Sequence, residues 1–286
     1  MKAPRFQYLR PDSVEEAVAM LAAHGDAAQI LAGGQSLMPM LNMRVASPDV
    51  VIDINRLQAL AGIAFVDGWC TVGALTRYAD IMADGRIAQH LPLLAMALPY
   101  VAHSAIRNRG TIGGSLALAD PAAEMPACAL ALGAEIELAS QAGRRRVLAQ
   151  DFFLGLYETA RQAEEMLIAI HYPIVGPVQC GFYETARRHG DIALAGAAVV
   201  RRPAPAGGLP EYRIAAFGLL DRPILATRTA EICANVQTAE RMNDVLSAFE
   251  ADICAAGDIQ GDARTRLIWA RTALQRALEQ LAPSPL

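Results

Sequence analysis

The chain has no cysteine pair at short spacing, no long apolar run and no excess of basic charge. Each absence removes a class of protein. Its five cysteines, Cys70, Cys128, Cys180, Cys233 and Cys254, lie singly with no Cys-x-x-Cys, which argues against a disulfide framework and against a zinc or iron–sulfur site built on this chain. Such a scattered set fits the reducing cytoplasm. The densest apolar segment, Leu91 to Ala102, is twelve residues long and interrupted by Pro92 and Pro99, too short to cross a bilayer. Residues 1–13 contain Lys2, Arg5 and Arg10 but no apolar core of the kind a secretion signal carries. A formal net charge of −4 offers no electrostatic footprint for nucleic acid. Nor is there a Gly-x-Gly-x-x-Gly fingerprint, a repeat of fixed period or a low-complexity tract. His103, His171 and His189 show neither metal-ligand nor triad spacing, and are read as structural or surface residues.

What is abundant is apolar residue: 53% of 286, against 19% charged. A large core accounts for this, and so would surfaces covered by partner chains. The length permits one large domain or two modest ones.

Two glycine doublets stand out, Ala32-Gly33-Gly34-Gln35-Ser36 and Thr111-Ile112-Gly113-Gly114-Ser115. Paired glycines let a backbone approach a ligand without a Cβ in the way, and their N–H groups can line an anion nest. A hydroxyl residue closes each segment. Two such loops suggest a clamp on a pyrophosphate, with a tight ligand-free turn as the alternative at each.

Around them the pattern reads as a strand at Phe6–Tyr8 and a helix opened by the box Ser13-x-x-Glu16 and ended at His24-Gly25. Strands follow at Gln29–Ala32 and Val50–Ile54. A second unit starts near Ala61 with a strand at Trp69–Val72 and a capped helix at Thr76–Ala83, stopped by Asp84-Gly85. A buried helix is expected over Leu93–Val101, and another over Ala122–Leu132 ended by Gly133. Glu135–Ala139 and Arg144–Val147 read as a hairpin, and Met166–Tyr172 as a strand stopped by Pro173. Ile174-Val175-Gly176-Pro177 is the expected boundary, giving units 1–175 (parts about 1–58 and 59–175) and 176–286. Beyond it come strands near Gly181–Ala186, Leu194–Arg201 and Tyr212–Leu219, a loop at Pro203–Pro210, and helices ending with Ala263–Leu281. A sheet with helices after it in sequence indicates an α+β class.

Three segments resemble one family. Ala32 to Arg44 resembles the first flavin loop of the FAD-binding medium subunits of molybdenum hydroxylases. Arg107 to Ala117, followed by Asp120-Pro121-Ala122-Ala123-Glu124, resembles the second. Ala186 to Ala193 resembles a third segment, and order and spacing fit over nearly the whole chain. The resemblance implies a two-subdomain FAD-binding domain of the vanillyl-alcohol-oxidase-like (PCMH) kind, followed by a smaller α+β domain. It implies FAD contacts at Leu31, Ala32, Gly33, Gly34, Gln35, Ser36 and Leu37 in the first loop. In the second they fall on Thr111, Ile112, Gly113, Gly114 and Ser115, with Val101 and Ala102 just before it. Glu124 matches the acid that holds the adenosine ribose, or serves as an acid at a helix N-terminus. Leu167 matches a residue on the adenine side, and Asp191 and Ile192 lie where relatives face the flavin ring. Glu184 stands where some relatives carry lysine. Arg107 and Arg109 could reach the diphosphate or simply pack. Gln35 replaces the histidine that related folds use for covalent attachment, so FAD is expected to be noncovalent.

The resemblance further implies a large molybdopterin subunit and a small [2Fe-2S] subunit as partners, in a dimer of heterotrimers. Molybdopterin and clusters would sit on those partners only. This chain would carry no substrate-hydroxylating or catalytic residue and would relay electrons to an external acceptor. A self-contained flavin oxidoreductase and a non-redox nucleotide-binding module are the alternatives.

Overall fold

Val50–Asp53 is buried at every residue, so it must be the centre of its sheet rather than an edge. In the computed structural model, which describes residues 2–204, 208–235 and 242–281, it lies between two parallel neighbours. The first unit runs β1 (Gln7–Leu9), α1 (Val14–His24), β2 (Ala28–Leu31), α2 (Leu37–Asn42) and β3 (Val50–Asp53), with sheet order β1-β3-β2. Helix α1 buries Ala17, Val18 and Leu21 and ends at Gly25 with φ +50°. Its cap differs from the expected box in one arm. The Ser13 hydroxyl accepts the Glu16 N–H at 3.1 Å, but the Glu16 carboxylate accepts from Asp12 N–H at 2.7 Å, not from Ser13.

The second unit begins with β4 (Ile63–Val66) and β5 (Trp69–Gly73). Short helices follow: α3 (Tyr78–Ala83), α4 (Gly85–His90), α5 (Pro92–Ala97), α6 (Ser104–Arg107), α7 (Ile112–Leu118) and α8 (Glu124–Leu132). Then come β6 (Glu135–Ser140), β7 (Gly143–Leu148), α9 (Ala149–Phe152), β8 (Phe153–Gly155), β9 (Glu158–Thr159) and β10 (Met166–Pro173). An antiparallel sheet of order β4-β5-β10-β6-β7 results. Its central strand β10 is covered on both faces. Met166 and Ile168 join the core of the first unit, while Leu167, Ile170 and Tyr172 join a central core. A bulge between Leu167 and Ala169 shifts the alternation between the two faces. Buried His171 stitches three strands, with Nδ1 2.9 Å from the Thr71 hydroxyl and Nε2 2.7 Å from the Glu137 carboxylate.

Two expected helices are corrected here. Thr76 does not cap α3; its hydroxyl bonds the N–H and the carbonyl of Gly62, each at 3.0 Å, and α3 begins after Arg77 with no side-chain cap. The helix expected over Leu93–Val101 is α5 followed by a 3₁₀ turn at Leu98–Tyr100, because Pro99 has no N–H with which to continue it.

Helix α8 is buried at all nine of its residues, as a helix apolar on every side after its opening Glu124 requires. It ends at Gly133 in the left-handed region, φ +70°. Arg213 caps that end, donating to the carbonyls of Ala131 at 3.1 Å and Leu130 at 2.9 Å, where the helix dipole favours a cation.

The third part is β11 (Gln179–Thr185), β12 (Ala195–Arg202), β13 (Glu211–Phe217), β14 (Ile224–Leu225), α10 (Thr227–Asn235), α11 (Met242–Ile253) and α12 (Ala263–Glu279). Of the expected Pro203–Pro210 loop, residues 205–207 lie outside the described residues. Strand alternation sends Ala198, Val200, Ala215 and Phe217 into the central core with α8. Ala195, Ala197, Val199, Ile214 and Ala216 face the three helices. Gln280 covers the β11 edge, accepting from Phe182 N–H at 3.0 Å and donating to its carbonyl at 2.9 Å.

At Gly181 strand and helix touch backbone to backbone: a Cβ there would run into the Ala277 carbonyl oxygen and stand 2.7 Å from its carbon. Gly181→Val is therefore expected to lower stability by about 1–3 kcal/mol, the usual cost of overpacking. A urea midpoint equal to wild type would show that α12 does not rest on this strand as described.

Candidate functional site

Strand β2 delivers the chain to Gly33, which is buried. A Cβ at Gly33 would collide with the Arg109 carbonyl oxygen and lie 3.0 Å from Gly110 Cα. The first glycine loop thus rests directly on the approach to the second. Gly34 follows with φ +72°, a conformation glycine adopts without steric cost. Among the described residues, nothing accepts a hydrogen bond from the N–H of Gly33, Gly34, Gln35 or Ser36. The Gln35 amide donates back to the Gly33 carbonyl at 3.3 Å, and Ser36 precedes α2 without capping it through its side chain. Leu31, Ala32 and Leu37 flank the loop, half-buried.

The second loop is hydrogen-bonded differently from the first. Ile112 N–H donates to Thr76 O at 3.2 Å and Gly113 N–H to Ala74 O at 3.0 Å. Gly114 N–H donates to the Thr111 hydroxyl at 3.1 Å, as the cap of α7. Thr111, Ile112 and Gly113 are buried, and a Cβ on Gly113 would stand 2.6 Å from Ala74 Cβ. These glycines serve close packing and capping. Gly114 is exposed and Ser115 half-buried.

The third segment also arrives here. A Cβ on Gly190 (φ +83°) would stand 2.6 Å from the Ala102 carbonyl oxygen, and the His189 and Tyr100 rings meet edge to face at 5.1 Å. Ala102 itself has φ +42°. Arg107 holds that turn, donating to the carbonyls of Val101 at 2.9 Å and Ala102 at 2.8 Å, so its guanidinium is engaged in packing. Next to the turn, Asp191 is exposed and Ile192 stands 74% exposed, unusual for an aliphatic side chain between ordered segments. Leu167 is wholly inside the central core.

Two buried carboxyls complete the region. Glu124 opens α8 and Glu184 lies on β11; both are nine-tenths or more buried. Burial, with Asp120 adding, pushes the Glu124 carboxyl up to about 7. Burial, with Glu124 adding, pushes Glu184 up to about 8. Both Glu184 oxygens lack a hydrogen-bond partner among the described residues, a costly condition for a buried polar group. Ser115 and Glu124 both lie close enough to the buried Tyr78 to influence its hydroxyl.

Sequence reasoning missed Asn55, Arg77 and Tyr100. None sits in a motif. Only the backbone groups and rings they meet in the fold identify them.

Together these features fit a bound dinucleotide: a row of unclaimed N–H groups, glycines whose missing Cβ atoms bring three segments together, and orphaned buried carboxyl oxygens. Residues 4–175 match the family described as the FAD binding domain in molybdopterin dehydrogenase. The 6-hydroxypseudooxynicotine dehydrogenase complex subunit alpha of Paenarthrobacter nicotinovorans is 37% identical over 97% of this chain and 95% of its own length. Among solved structures, carbon monoxide dehydrogenase of Hydrogenophaga pseudoflava superposes with a TM-score of 0.92 at 36% identity, covering 99% of this chain and 100% of that one. Quinoline 2-oxidoreductase of Pseudomonas putida 86 gives 0.89 at 36% identity, with 98% of each chain covered.

Raised carboxyl pKa values mean that the folded chain keeps protons which the unfolded chain, titrating near about 4.3, has lost. The stability they contribute is full below about pH 4 and declines as pH rises through about 7 to 8. Glu184→Gln should flatten this decline in the flavin-free chain, measured as urea midpoints from about pH 5 to about 8.5. Parallel curves for the two proteins would show that Glu184 does not titrate in this window.

Proposed function

The chain belongs to the family of FAD-binding domains in molybdopterin dehydrogenases, and from that premise we propose that it is the flavin-carrying electron-transfer subunit of a molybdenum hydroxylase complex. It is an FAD-binding oxidoreductase chain of α+β fold. The observation that supports the finer reading is the run of four unclaimed N–H groups from Gly33 to Ser36, packed against the second loop. Those N–H groups and the Ser36 hydroxyl would hold the diphosphate. Gly114 and Ser115 would face it from the other loop, whose Thr111, Ile112 and Gly113 form the packed support. Glu124 would accept from ribose hydroxyls. Leu31, Ala32, Leu37, Val101 and Ala102 would supply apolar walls with Leu167 in the core behind them, and Asp191 and Ile192 would lie toward the flavin ring. FAD, when bound, accepts electrons singly and releases them in pairs, while the protein's part is binding, orientation and electrostatics.

In this reading residues 1–175 carry the flavin and residues 176–286 brace it. A partner with [2Fe-2S] clusters supplies the electrons, a larger molybdopterin partner oxidises substrate, and the assembly is a cytoplasmic dimer of heterotrimers. No helix among the described residues is long and apolar enough to cross a membrane. The relatives are named for unlike substrates, 6-hydroxypseudooxynicotine, carbon monoxide and quinoline, although their chains share this fold. Substrate choice accordingly belongs to a partner, and the flavin site serves any of them.

With Gln35 beside the glycine pair and no covalent link, acid precipitation of the complex should leave the yellow colour in the supernatant. In the intact complex, a substrate drawn from carbon monoxide and N-heterocycles should bleach the flavin absorbance, and in the isolated chain none should. Turnover by the isolated chain at the rate of the complex would replace this reading with a self-contained oxidoreductase.

A further inference from the structure

Behind the two glycine loops runs a continuous line of polar side chains. The Tyr8 hydroxyl donates to Asp53 Oδ2. Asp53 Oδ1 accepts from both the backbone N–H of Asn55 at 2.9 Å and its Nδ2 at 2.7 Å. Asn55 Nδ2 also donates to the Ala32 carbonyl at 2.7 Å, while Asn55 Oδ1 accepts from Arg77 Nη2 at 2.7 Å. Arg77 Nη1 finally donates to the Arg109 carbonyl. One planar fork therefore spans from the first loop's anchor to the second loop. The backbone of Arg77 is itself paired to the second loop, bridging to Thr111, and Tyr78 N–H donates to Gly110 O at 3.2 Å. The Asn55 amide cannot turn over, because its nitrogen faces three acceptors, Asp53 Oδ1 and the carbonyls of Leu31 and Ala32, and its oxygen a donor.

The consequence follows from peptide geometry. The Ala32 carbonyl and the Gly33 N–H belong to one planar trans unit and point in opposite directions. Asn55 draws that carbonyl back, so the Gly33 N–H, which has no acceptor among the described residues, is turned to the other side. The Arg109 carbonyl held by Arg77 is the same atom on which Gly33 rests.

We propose that Asn55 and Arg77 are positioning residues of the flavin site: a latch that fixes the spacing of the two glycine loops and aims the Gly33 N–H at the cofactor diphosphate. This rests on the FAD reading above and adds two residues whose side chains reach the loops through backbone carbonyls.

The full chain, freed of flavin, is titrated with FAD by quenching of flavin fluorescence, and its thermal midpoint is recorded alongside. Outer partners that orient metal ligands are typically worth about 10- to 100-fold in affinity, and the latch stands in the same relation to the Gly33 N–H. Asn55→Ala and Arg77→Met should each weaken FAD binding by about that factor at temperatures where both remain folded. The double variant should be no weaker than the poorer single, because the two form one linkage. Arg77→Lys, which keeps one donor group, should recover part of the loss, and Tyr8→Phe at the far end should cost least. Folded variants that bind FAD as wild type does would overturn the latch alone, and so would losses that multiply in the double variant. A wild-type chain that binds no FAD would overturn both readings together. Should Asn55→Ala not fold, the graded series Arg77→Lys, Arg77→Met and Tyr8→Phe separates the same outcomes: a stepwise loss of affinity supports the latch, and uniform wild-type affinity overturns it.

Discussion

The approach of Gly33 to the Arg109 carbonyl leaves no room for a side-chain carbon, and the rest of the site is arranged around that approach. Glycine at such a point costs conformational entropy on folding, because the unfolded chain is freer there than at any other residue. The structure offsets that cost with hydrogen bonds that hold the surrounding peptides: Asn55 on Ala32, Arg77 on Arg109, and Arg107 on the Val101–Ala102 turn. One amide and two guanidinium groups thus act on carbonyls, and at Gly33 the N–H is left turned the other way. In the proposed reading, a site for a dianionic diphosphate built in this manner relies on peptide dipoles, with charged side chains placed behind them.

Such a site needs a stiff support, and burial on both faces supplies it. Strand β10 contributes side chains to two cores, as do β12 and β13, and α8 is enclosed on every side. Close-packed interiors have low compressibility, so the loops anchored to these elements have defined positions. The apolar composition finds its use in this arrangement of doubly covered layers. Glu124 and Glu184 are the exceptions inside it. A buried polar group without partners costs roughly 1–3 kcal/mol, and two carboxyls close together, one with both oxygens orphaned, mark a place where stability is given up.

Much of this is legible in the sequence for identifiable reasons. Paired glycines, Pro173 and the Gly25 and Gly133 stops act locally, so their effects survive whatever packs around them. The hairpin across Gln141–Gly143 and the strands of the third sheet follow from alternation, which needs no knowledge of partners. Thr76 misleads because a hydroxyl before a helix looks like a cap whether or not its turn points that way; here Gly62 takes it. How the glycines of the second loop are bonded is hidden from the sequence for a related reason. Whether Gly113 N–H is free depends on the carbonyl of Ala74, far earlier in the chain. Asn55 and Arg77 carry no signal at all, since a lone amide and a lone guanidinium separated by 22 residues resemble ordinary surface residues.

The same distinction separates what this chain holds in common with its relatives from what it does not. A diphosphate cradle made from backbone N–H groups depends on where carbonyls are tied, and many side-chain sets can tie them. Sequences 36% identical can accordingly superpose at a TM-score of 0.92. In the proposed reading this is what lets one flavin-bearing part serve partners of unlike substrates: the cradle is made of backbone N–H groups, which any side-chain set that ties the carbonyls can present.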